Sequence, residues 1–154
     1  MIQIQVNHPK AKRKPERQLI EAAITKAVQT VLAAGTPSPE VNLTVVITDD
    51  KAIQELNRQF MGFDEPTDVL SFPSGESDPE TGITYLGDII ISFPRAEAQA
   101  AQGGHLVLAE IQLLTIHGTL HLLGYDHLDE GQKAAMWALQ NGALKILNNP
   151  VRVP

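Results

Sequence analysis

Residues 106–127 read LVLAEIQLLTIHGTLHLLGYDH, and the reading of this stretch decides the fold. Leu106 to Leu123 is apolar enough to raise the question of a membrane span. Glu110, Gln112, His117 and His121 interrupt it, and ionisable groups are costly in lipid. The expectation is a buried helix of a non-membrane domain, over about 105–123, ended by Gly124 in a left-handed turn.

Working outward, Met1 to Val6 alternates apolar and polar residues as a half-buried strand does, and not as a secretory leader would. Pro15 suits a first helical position, and Ile20, Ala23, Ile24, Ala27, Val28 and Val31 follow helical spacing up to Gly35. Residues 41–48 are rich in β-branched side chains, with Val41, Leu43, Val45 and Ile47 on one face. Asp49 or Asp50 caps a short helix to about Phe60, and 61–67 is a loop. A short strand at 69–72 ends at Pro73, and the polar stretch SGESDPETG (74–82) is expected to be a mobile loop outside the active site. Residues 85–92 form a near-continuous apolar run, which suits a central strand. A helix follows Pro94 and ends near Gly103; Asp129 with Gln132 resembles a capping box for a last helix carrying Met136, Leu139, Ala143 and Leu147. Strands and helices mix without strict alternation. The fold class is α+β, with a small mixed sheet of four strands packed with about five helices.

The 154 residues suit one domain, 1–154, with 43% hydrophobic and 19% charged residues. There is no cysteine, so a transition-metal site must rest on His, Asp and Glu; this fits a cytoplasmic protein. The net charge of −6 argues against a general nucleic-acid coat but not against an enzyme that meets RNA locally. Lys10, Lys12, Arg13, Lys14 and Arg17 crowd one segment, read as a solvated helix entry in preference to a phosphate-binding patch.

Three of the five histidines fall within His117–His127. His117 and His121 are i and i+4 on the expected helix, so both imidazoles project from one face. Gly124 lets the chain double back, and His127 returns to the same point. A single histidine on an apolar helix is usually a satisfied core residue; three at this spacing point to a metal. Three neutral imidazoles leave a coordination position open, as in catalytic zinc sites. His8 and His105 receive no role. The spacing equals that of the metzincin pattern H-E-x-x-H-x-x-G-x-x-H, but Gly118 stands where the protease has its basic glutamate. The ion would keep its full charge beside neutral ligands, which suits a phosphodiester better than an amide.

Three blocks, Pro66 to Pro73, Leu86-Gly87-Asp88-Ile89 and the histidine segment, together with length and element order, resemble the YbeY family of metal-dependent endoribonucleases. The resemblance implies one zinc ion per chain held by His117, His121 and His127. It implies single-stranded RNA as substrate, with ribosomal RNA maturation as the task and ribosomal proteins or assembly factors as partners. The family commonly carries an arginine just before the glycine that precedes its Pro-Thr stretch; Met61 stands there, and Arg58, one helical turn earlier, is the candidate replacement. His117 and Arg58 are thus the candidate catalytic residues. Thr67, Asp68, Ser71 and Asp88 are read as structural, and Asp126 as either holding its turn or orienting a metal imidazole. Two rivals stand beside the nuclease: a metal-dependent hydrolase of another substrate, and a ribosome-assembly factor with a structural metal.

Overall fold

Ile2 and Ile4 turn inward and Gln3 and Gln5 stay exposed, so Ile2–Val6 is a strand, β1. The computed structural model describes residues 1–35 and 40–151. After β1 come Pro9–Lys12 (α1), Glu16–Gly35 (α2), Val41–Thr48 (β2), Asp50–Met61 (α3) and Val69–Ser77 (β3). Thr84–Ser92 (β4), Phe93–Gly103 (α4), Val107–Leu122 (α5) and Glu130–Ile146 (α6) follow. The fold is α+β, with one four-stranded mixed sheet in the order β1-β2-β4-β3. β1–β2 and β2–β4 run parallel, and β3–β4 runs antiparallel.

The central place of β4 explains its apolar run. Ile89 and Ile91 enter the main core, and Ile90 faces the other side with Ile53 and Leu70. On the main side, Ile24 and Val28 of α2 and Ile111 and Leu114 of α5 pack on Leu43, Val45 and Ile47. α5 turns Ile116 and Leu120 the other way, into Met136, Ala143 and Leu144 of α6. It is therefore covered by the sheet on one side and by helices on the other, and its want of a polar face is the signature of that double burial. Among the described residues no helix is long and apolar enough to cross a membrane. Ile111 and Ile116 are both fully buried, and truncating either to alanine removes about 2–5 kcal/mol.

Three expectations need adjustment. The basic segment holds a helix of its own, α1, started by Pro9 with the His8 imidazole accepting from the Lys10 N–H, so the described residues form six helices, and Pro15 lies just before α2. β3 does not stop at Pro73: it continues to Ser77, with its register broken between Pro73 and Glu76. As the edge strand it tolerates the absence of a backbone N–H at proline. Only 78–83 is left to close the hairpin, with the Asp78 carboxylate accepting from the Glu80 N–H at 2.8 Å and the Asp78 carbonyl from the Gly82 N–H at 2.8 Å. Asp49 caps α3 and Asp129 caps α6 through the expected side-chain bonds, to the Ala52 and Gln132 N–H groups.

Candidate metal centre

α5 carries His117 and His121 on one face, and their Nε2 atoms stand 3.1 Å apart. Leu123 ends the helix, and the Gly124 and Tyr125 N–H groups donate back to the carbonyls of His121 and Leu120. Gly124, at φ +99°, turns the chain. The Asp126 carboxylate then accepts the His127 N–H at 2.7 Å, which brings the His127 ring round to the other two. One nitrogen from each of the three imidazoles lies within 4.8 Å of the others.

The rings are held from behind. The His117 Nδ1–H donates to the Gln140 amide oxygen at 2.9 Å, leaving the Nε2 lone pair aimed at the cluster. Trp137 of α6 stands edge-on to His117 and His127, each at 6.0 Å between ring centroids, with Lys133 5.6 Å over its ring. Burial pushes the His117 imidazole below its ordinary pKa, against the opposing pull of Gln140 and Asp68. Burial and the neighbouring His117 do the same to His121. Both rings are therefore kept neutral with lone pairs free for a cation. Tetrahedral nitrogen ligands at about 2.0–2.1 Å from zinc stand about 3.3 Å apart, close to the observed Nε2 separation. The donor set thus fits a zinc-like ion.

The histidines form one wall of a cleft of about 640 Å³. The opposite wall is Asn57, Met61 and Phe63 at the end of α3, with Asp68 to Ser71 and Pro73 of the loop and β3. The sheet comes close, through Ile89 of β4, because α5 has no side chain at Gly118. A Cβ there would lie 2.7 Å from Cγ2 of Ile89, and the Ser71 hydroxyl donates to the Gly118 carbonyl at 3.3 Å. The glycine that removes a protease's base also lets the sheet dock on the metal helix.

The structure brings His117, His121 and His127 together but does not bring Arg58 to them. The Arg58 guanidinium is paired with the Glu55 carboxylate one turn back on α3, and it does not line the cleft. Among the described residues lining the cleft there is no lysine or arginine, while Asp68 and Asp126 supply two carboxylates. The basic segment does not line it either: Lys10 lies 3.7 Å from Glu97, and Arg17 pairs with Glu21. Residues 74–82 are absent from the lining as well. Asp68 accepts from the Val69 N–H and from Gln99, and Asp88 accepts from Tyr85, so both hold structure. His105 forms a buried pair with Glu110 at 2.7 Å. Gln140 and Trp137 were not singled out from sequence. Gln140 did leave a signal, since it is a polar residue on the apolar stripe of α6 beside Met136, Ala143 and Leu144, and a buried amide demands a partner.

A family model described as Endoribonuclease YbeY matches residues 5–148. An Endoribonuclease YbeY of Desulfitobacterium hafniense (strain Y51) is 51% identical over 124 residues, covering 77% of this chain and 76% of that one. One from Dehalococcoides mccartyi (strain BAV1 among its designations) is 41% identical over 144 residues, covering 85% and 90%. The solution structure of a Thermotoga maritima protein superposes with a TM-score of 0.62 at 29% identity, over 97% of this chain and 94% of that one.

Proposed function

We propose, from the premise that the chain belongs to the YbeY family of endoribonucleases, that it is a zinc-dependent enzyme cutting single-stranded RNA. Maturation and quality control of small-subunit ribosomal RNA is the task in this reading. One ion per chain would be held by His117, His121 and His127. The observation that carries the reading is the convergence of three imidazole nitrogens within 4.8 Å in a cleft of the matched domain. Zinc held there supplies Lewis acidity toward a phosphoryl oxygen and lowers the pKa of water toward about 7.

The chain's own residues do the rest. Gln140 fixes the His117 tautomer, and burial keeps His117 and His121 neutral, so the ion retains its charge for an anionic substrate. Asp68 and Asp126 line the cleft with negative charge and leave an ion held by the histidines as the one point that would attract a phosphate. An unpaired strand bends into such a cleft, whereas the deep, narrow major groove of an A-form duplex admits no rim. Arg58 could add a cation only by leaving Glu55 and swinging round α3.

The test is elemental analysis of the purified protein together with cleavage of matched single-stranded and duplex RNA, with and without chelator. Zinc near one equivalent, cleavage of the single strand, and loss of cleavage on chelation are expected. A second reading, an assembly factor with a structural metal, is favoured by the want of any lysine or arginine among the described residues lining the cleft. It predicts that chelation lowers the melting temperature while RNA stays intact with or without metal.

A further inference from the structure

The cleft has a polyanion to hold and, among the described residues, no lysine or arginine in its lining. Affinity for the strand must then come from contacts other than ion pairs with this wall. The rim facing the histidines offers one kind. Phe63 and Met61 both line the cleft yet are 61% and 43% exposed. A large aromatic left in water at the mouth of a site has surface available for a flat partner.

Phe63 is also held in place. Gly62, at φ +79°, ends α3, and the N–H groups of Gly62 and Phe63 both donate to the Asn57 carbonyl. The buried Asn57 side chain donates to the Glu65 carbonyl at 2.9 Å, and Gln54 donates to Asp64. Three consecutive residues after Gly62 are thus tied to α3, and the ring is presented on a braced loop. A braced aromatic loses little freedom on binding.

We propose that Phe63 is a stacking platform for an unpaired base of the RNA strand whose phosphate lies at the three histidines, with the Met61 thioether flanking the same base. The proposal rests on the endoribonuclease reading for its ligand. Every base has a π-face, so such a platform grips a strand without choosing its sequence, and it rejects a duplex whose bases are already stacked. It places single-strand preference in Phe63.

The test uses the metal-loaded full chain and a set of short single-stranded RNAs, each with one 2-aminopurine at a different position. Binding is expected to quench fluorescence at one position or two adjacent ones. Phe63→Ala, at an exposed side chain, should fold normally, lose that quench and weaken Kd and KM by about tenfold, with kcat within about threefold. Phe63→Trp should restore both. Unchanged affinity and quench in Phe63→Ala would overturn the platform, even if the protein cleaves RNA. A Phe63-dependent quench in a protein that cleaves nothing would uphold the platform and remove the nuclease reading. No binding of any RNA by wild type would overturn both.

Discussion

The two rims of the cleft are built on different plans. The histidine rim comes from eleven consecutive residues, His117–His127, and its imidazoles are braced by Gln140, Trp137 and each other. The facing rim comes from the end of α3 and the start of β3, roughly fifty residues earlier, and offers exposed Met61 and Phe63 with no cation among the described residues. One rim concentrates ligand chemistry in a polar, partly buried cluster; the other offers apolar surface to whatever enters. In the proposed reading the first rim binds the metal and the second grips the substrate.

The largest expected effect breaks the first rim. His117→Ala removes one of the three proposed ligands and orphans the buried Gln140 amide, so bound zinc should fall well below one equivalent and RNA cleavage should be lost. Full metal loading in this variant, measured by elemental analysis, would contradict the ligand set.

Acid should act on the same rim. His117 and His121 are held below the ordinary imidazole value of about 6.5, so the unfolded chain takes up protons before the folded one does. Their contribution to stability is full above about pH 6.5 and is lost as pH falls through the folded values. In metal-free protein the melting temperature should drop below pH 6.5, and the gap between wild type and His117→Ala should narrow. A gap that widens on acidification would reverse the assigned direction.

Gln140→Leu keeps the ligands but removes the acceptor that orients His117. Loss of such a partner costs about 10- to 100-fold in metal affinity. A competition titration against a chelating dye measures it, and unchanged affinity would show that the ring needs no brace.

Gly118→Ala tests the seam between the metal helix and the sheet. The added Cβ pushes on Ile89, and overpacking of this kind costs about 1–3 kcal/mol, offset by about 1 kcal/mol of helix propensity. A melting temperature lower by about 2–5 °C is expected with the ligands intact, and a rise would mean that Ile89 moves aside freely.

Arg58→Ala should do least. The guanidinium is engaged by Glu55 and does not line the cleft, so cleavage should stay within about threefold of wild type. A loss approaching the 10²-fold scale of a preorganised charge-stabilising donor would show that Arg58 leaves Glu55 for the substrate.

Much of the fold and the clustering of the three histidines were readable along the chain because both depend on short-range periodicity. His117 and His121 share a face through the 3.6-residue turn, and Gly124 is where a backbone must reverse for His127 to return. β2 and β4 declared themselves through β-branched runs, and Asp49 and Asp129 through their capping oxygens. β3 was cut short because proline ends a strand locally, whereas an edge position, which is a property of the assembled sheet, allows the strand to continue to Ser77. Gln140 and Trp137 escaped notice because α6 returns to α5 only after packing, twenty residues beyond the first histidine. Arg58 looked adjacent to the site by residue number, but Glu55 on its own helix holds it there. Gly118 meant a missing base when read in line; in three dimensions it is the gap that Ile89 fills. Local spacing follows from the geometry of one helix and one turn. The identity of the opposite wall follows from which strand the sheet sets beside α5, and that depends on contacts between residues far apart in the chain.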